Sequence, residues 1–251
     1  MNNNPNVNYT VGAVHPVECL KEGWAMIKDQ YWLILAICFV GMLLAGIVPF
    51  GIIYGPMMCG IYLCLLHKKD YGHVSFETLF KGFDFFLPSF VASLFMLVPA
   101  FVLGIMFYIP LIVMQFRMMG KGKPDPGDMA AYFSFFCIGM VILMIVFLIL
   151  HTLLLFAYPL IVEHKLSGVE AFKTSYRAVF KNFSGIAGLI ALHFCLIILG
   201  YCLCFVGVYL MLPLMFASSV NAYRHIFPRS NRENFDAPPP PDAYHGAGGY
   251  N

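Results

Sequence analysis

Long uncharged apolar runs alternate with short amphipathic stretches along this chain. Val169–Phe183 shows the amphipathic type most clearly. Read as a helix, it places Val169, Phe172, Tyr176, Val179, Phe180 and Phe183 on one face and Glu170, Lys173, Arg177 and Lys181 on the other. Ser167 and Glu170 form an S-x-x-E start signal just ahead of it. Val17–Tyr31 has the same spacing, with Val17, Leu20, Trp24, Ile27 and Tyr31. Val74–Phe83 looks like a third copy, with Phe76, Leu79, Phe80 and Phe83 on a face and Glu77 and Lys81 as an i, i+4 pair. Each stretch leads into a long apolar run, which is the pattern of an interfacial elbow helix feeding a hairpin of spanning helices.

All four runs carry no Asp, Glu, Lys or Arg for far longer than the ~20 residues of one span. Tyr31–Leu66 is nearly two spans long and is broken by Pro49, Gly51, Gly55 and Pro56. It reads as TM1 over 31–48 and TM2 over 51–67, with a re-entrant hairpin as the competing reading. TM3 takes 85–116, with Pro88, Pro99 and Pro110 inside it, and TM4 takes 129–162. The fourth run yields TM5 over 184–204 and TM6 over 207–224. The expected fold is therefore all-α: a six-span polytopic membrane bundle with elbows over 16–29, 74–83 and 168–182. The membrane domain covers 15–227. A polar tail precedes it over 1–14, and a Pro/Gly-rich tail follows over 228–251; both are expected to be disordered. Val17, Glu18 and Lys21 recur as Val169, Glu170 and Lys173, and both units continue as span, Gly-x₄₋₅-Pro and span. This is the order of a parallel internal repeat about an axis along the membrane normal.

Composition agrees with a membrane class. The 251 residues are 60% hydrophobic and 11% charged, with mean hydropathy +0.78, whereas soluble domains carry about 25% charge. A net charge of +2 gives no footing for nucleic acid. The start has no basic, apolar and small-residue succession, so it does not read as a secretory signal peptide. Six spans with both termini cytoplasmic leave only Arg117, Lys121 and Lys123 of the 15 Lys and Arg outside, which satisfies the positive-inside rule.

Candidate chemistry is sparse. The eight cysteines include no C-x-x-C pair and read as small apolar residues. No nucleophile, metal or nucleotide motif occurs, so neither an enzyme nor a cofactor is expected. His151 and His193 are the intramembrane polar candidates, as packing or pore-lining rings or as a proton or metal site. Lys173, Arg177 and Lys181 form a basic stripe beside an apolar face, suited to the headgroups of anionic lipid and equally to plain positive-inside topology. Pro238–Pro241 with Tyr244 narrowly misses a P-P-x-Y ligand, which leaves a protein partner for the C-terminal tail open beside a merely solvated one.

The succession Tyr158-Pro159-Leu160-Ile161-Val162, Ser167, Glu170-Ala171, Lys173 and Ser175, with Val206-Gly207 and Pro213 later, resembles a bacterial family. It is the membrane domain fused to some glycerophosphodiester phosphodiesterases, together with its uncharacterised stand-alone relatives. The resemblance implies a multi-pass protein of the bacterial inner membrane and no catalysis, since the fused enzymes' chemistry lies in a separate barrel. The long segments flanking 117–128 depart from that family. Two functions are expected from different classes: a membrane-organising or interaction protein touching anionic lipid through its elbows, or a carrier or channel for a small or apolar solute.

Overall fold

The computed structural model describes residues 9–120, 125–203 and 206–228. The C-terminal tail with its Pro run, the expected break at 204–207 and the outer Lys121 and Lys123 lie wholly or partly outside them. Among the described residues every regular element is helical. In order these are α1 (Pro16–Ile27), α2 (Tyr31–Ile47), a 3-10 turn (Pro49–Gly51), α3 (Tyr54–Tyr71), a 3-10 segment (Phe76–Phe85), α4 (Phe86–Gly120), α5 (Pro126–Leu154), α6 (Ala157–His164), α7 (Gly168–Lys181), α8 (Phe183–Cys202) and α9 (Val206–Ile226).

This is a helical membrane bundle. Four helical stretches are long and apolar enough to cross a bilayer: 76–117, 126–164, 183–202 and 206–226. The number rises to five if α1 and α2, bent by 106° at their junction, are taken as one broken span. The six expected crossings therefore rest on α2 and α3. At 17 residues, α2 is about 26 Å long, slightly under the ~30 Å apolar layer. Buried on nearly every side, α3 is the central strut, and its last turn is the polar sequence His67–Tyr71.

Two expected elements take a different form. The stretch expected as an α-helical elbow over 74–83 is instead the 3-10 segment. With three residues per turn, Phe76, Leu79, Gly82 and Phe85 line up toward the protein, while Glu77, Phe80 and Phe83 face out. TM4 does not continue to 162 as one helix. Pro159 has no N–H for the Leu155 carbonyl, so the ladder breaks between α5 and α6. Ser175 repairs the break: its hydroxyl donates to the Leu153 carbonyl at 2.6 Å and accepts from the Phe156 N–H at 3.2 Å. Backbone groups freed inside a membrane protein need such internal partners.

The three elbows dock alike. Counting from Glu18, Glu77 and Glu170, the next residue is buried in each case (Cys19, Thr78, Ala171). The fifth is small (Gly23, Gly82, Ser175) and meets backbone of the helix that ends the preceding hairpin. A Cβ on Gly23 would come within 3.0 Å of the Ser218 nitrogen of α9; one on Gly82 would lie 2.2 Å from the Pro56 carbonyl oxygen of α3. Ser175 bonds the α5–α6 break. The sixth is an exposed aromatic: Trp24 50%, Phe83 40%, Tyr176 45%. Since α1 closes onto α9, the elbows tie the two ends of the chain together. The start of the chain takes part in this closure. Residues 9–14, expected within a disordered tail, are held by Thr10 N–H donating to the Ile226 carbonyl at 2.8 Å and by Asn182 Oδ1, which accepts from Gly12 N–H at 2.7 Å.

Candidate functional site

Helix α7 begins at a capping box. The Glu170 N–H donates to the Ser167 hydroxyl, and the Glu170 carboxylate reaches back to the Ser167 N–H. From there the sequence sorts side chains onto three faces rather than two. Gly168, Ala171, Ser175 and Ala178 are buried against the bundle, and Asn182 just beyond is buried too. Small residues allow the close approach that membrane helices use for packing. Tyr176, Phe180 and Phe183 are exposed, the first two in ring contact at 4.7 Å. Phe172 stacks on Phe95 of α4 at 4.2 Å. Lys173, Arg177 and Lys181 form the third face, and all three are exposed.

The large apolar face read from the sequence is thus mostly turned outward, beside the basic face, with only Val179 of it fully buried. A helix with aromatic and cationic faces both open fits a boundary between acyl chains and headgroups. Such a boundary would offer hydrocarbon to the rings and phosphates to the cations.

The two histidines are not brought into one hydrogen-bonded site. His193 on α8 is 7% exposed, and its Nε2 lies 2.8 Å from the Ser218 hydroxyl of α9, which also donates to the Met215 carbonyl. His151 near the end of α5 lines a cleft with Tyr54, Tyr62 and Tyr158 that has no room for a water molecule. Among the described residues no three His, Cys, Asp or Glu side chains are grouped to hold a metal ion.

The charged residues at the ends of the apolar runs build a polar cluster that periodicity and motif spacing do not reveal. Arg224 of α9 donates to Glu163 of α6 and, at 2.6 Å, to Asp70 of α3, with all three side chains largely buried. The Tyr223 hydroxyl also donates to Glu163. Nearby in sequence, the buried Lys68 amine donates to Asp29 at 2.5 Å, to Gln30 at 3.0 Å and to the Gly72 carbonyl at 2.7 Å. The hydrogen bond from Lys68 holds the Asp29 carboxyl below its usual range. The available signal was that Glu163 and Arg224 follow apolar runs directly and Asp70 comes within four residues of one, which places all three at one end of the bundle. The chain matches no protein-family model, no curated protein and no solved structure.

Proposed function

We propose that this is a non-catalytic, multi-pass protein of the bacterial inner membrane that organises its surroundings by holding anionic phospholipid on α7. The observation that carries the reading is the three-sided α7, which packs through Gly168, Ala171, Ser175, Ala178 and Val179 and leaves aromatic and basic faces exposed. In this reading α2 with α3, α4 with α5, and α8 with α9 make six crossings, and the elbows lie in the inner leaflet. Both termini are cytoplasmic, and the elbow–hairpin order repeats around an axis along the membrane normal. The shared docking of Gly23, Gly82 and Ser175 supports that repeat, and the distribution of Lys and Arg supports the orientation.

The test compares full-length protein with the variant Lys173→Gln/Arg177→Gln/Lys181→Gln. Phosphatidylglycerol and phosphatidylcholine retained through purification are measured by native mass spectrometry. Each cation contributes about 1 kcal/mol near a negative surface, so the triple variant should lose roughly a hundredfold of its preference for the anionic lipid. An unchanged preference would reduce the stripe to a topology signal. Reporter fusions at Asn251 and Lys123 test the topology; an outward signal at Asn251 would overturn the six-span reading.

A further inference from the structure

Helices α4 and α5 run about 52 and 43 Å, and most of their side chains are exposed. They do not pack uniformly. At one point Phe107 is buried against Gly139, where any Cβ would collide with the Phe107 ring at 1.8 Å. Phe135 and Phe136 close around the same ring. At the inner end α7 holds the pair through Phe172 on Phe95 and through Ser175 on the α5–α6 break. Between these two clamps the helices part. The gap is a groove of about 290 Å³ lined by Ala100 and Leu103 of α4 and by Leu143, Met144, Phe147 and Leu150 of α5.

Four properties of the groove select its occupant. Its lining side chains are all apolar, so it offers nothing to a polar solute. Met140 to Leu150, its extent on α5, covers about 15 Å, which is half of the ~30 Å hydrocarbon layer and so one leaflet. With a methylene taking about the ~30 Å³ of a water, the volume suits on the order of ten methylenes. Its inner end lies one helical turn from the contacts with α7, whose Lys173 follows the clamping Phe172. We infer that the groove between α4 and α5 seats one acyl chain of an anionic phospholipid whose headgroup rests on the basic face of α7. The Phe107–Gly139 clamp is the floor that the chain end meets, and the site takes a two-part ligand: phosphate at the interface, alkyl chain in the groove. This inference builds on the α7 reading proposed above and adds a defined seat for the tail.

The test uses the full chain in detergent. Ala100→Phe and Leu103→Phe each fill the groove without touching α7. Binding of phosphatidylglycerol is followed by native mass spectrometry, against phosphatidylcholine and against glycerol phosphate as a headgroup without a tail. Wild-type protein should hold one phosphatidylglycerol, and either filled variant that folds should weaken it at least about tenfold while keeping its preference for anionic over zwitterionic lipid. Glycerol phosphate should not compete. Full affinity in a folded, groove-filled variant overturns the tail seat and leaves the α7 reading standing. Loss of tail-dependent binding with no headgroup preference in wild-type protein overturns the α7 reading instead. A second measurement needs no variant. Phosphatidylglycerol carrying a photoreactive group in its tail should label 100–103 and 143–150 of the wild-type chain at one lipid per protein. Labelling spread evenly over the exposed faces of α4, α5 and α8, or adducts to a second copy of the chain at this face, would overturn the inference.

Discussion

On α1, the Glu22 carboxylate lies 3.4 Å from both Lys69 and His225, and Asp29 just beyond the helix holds Lys68 at 2.5 Å. On α7, Lys173, Arg177 and Lys181 all face outward. The two helices share a docking plan, with Cys19, Gly23 and Ile27 buried on one and Ala171, Ser175 and Ala178 on the other. Their difference lies in where charge points. Around α1, Glu22 and Asp29 meet Lys69 and Lys68 of α3, and Glu22 also meets the His225 ring of α9, so these charges are used within the protein. The cations of α7 are left for whatever adjoins it. A similar scaffold therefore turns its charge toward the protein at one position and outward at the other. Removing charge near α1 should change stability, and removing it from α7 should change lipid contact.

The largest effect is expected where charges are most deeply buried. Arg224→Met leaves Glu163 and Asp70 buried without their cation, which costs about 3–5 kcal/mol. Thermal unfolding in detergent should show it as a marked drop in Tm. The α7 triple Gln variant, by contrast, should unfold within about 0.5 kcal/mol of wild type, because it changes only exposed side chains. A triple variant as unstable as Arg224→Met would erase the contrast and make the stripe structural.

A smaller effect separates the two histidines. His193→Leu removes the partner of the Ser218 hydroxyl, which still donates to Met215, so a loss of about 1 kcal/mol is expected. His151→Leu should cost less, since its ring contacts are apolar or aromatic: Phe147 at 6.4 Å and the tyrosine-lined cleft. Unfolding of both single variants beside the double checks this. Rescue of a damaged single variant by the double would show the two rings to be coupled and would favour a carrier.

The helical class, the capping box at Ser167, the short helices near 16–29 and 168–182 and the exposure of the basic stripe were legible in the residues. The packing faces were not. Apolar periodicity locates the face that avoids water, and in a soluble protein that face is the core. Here Trp24, Tyr176, Phe180 and Phe183 are exposed, and beside Ile27 and Val179 burial falls largely to Gly23, Ala171, Ser175 and Ala178, whose merit is small size. Periodicity scales give such residues little weight. The 3-10 geometry of 76–85 was hidden for a related reason. Its three-residue register is set by how closely Leu79 and Gly82 approach Gly60, a tertiary contact absent from local spacing. The groove between α4 and α5 depends on where one ring, Phe107, finds one glycine, Gly139. Uniform apolar sequence does not mark such a pairing.

The smallest effect tests the charge used beside α1 and has a definite sign. Asp29 is solvent-exposed, yet the hydrogen bond from Lys68 holds its carboxyl below the ordinary 3.8. A group whose folded pKa is depressed adds stability above its unfolded pKa, and that stability is lost as pH falls through the folded value. Wild-type protein should therefore gain nothing from Asp29 at strongly acidic pH and the full contribution above about pH 4. Asp29→Asn keeps the shape of the side chain and removes the titration, while Lys68 retains Gln30 and the Gly72 carbonyl. Unfolding of the two proteins from pH 7 to pH 2 should show a constant gap down to about pH 4 that narrows below it. Other carboxylates titrate in both proteins and cancel in the difference. A gap that stays constant across the whole range would mean that Asp29 holds Lys68 by shape alone, and the charge contrast between α1 and α7 would then rest on Glu22.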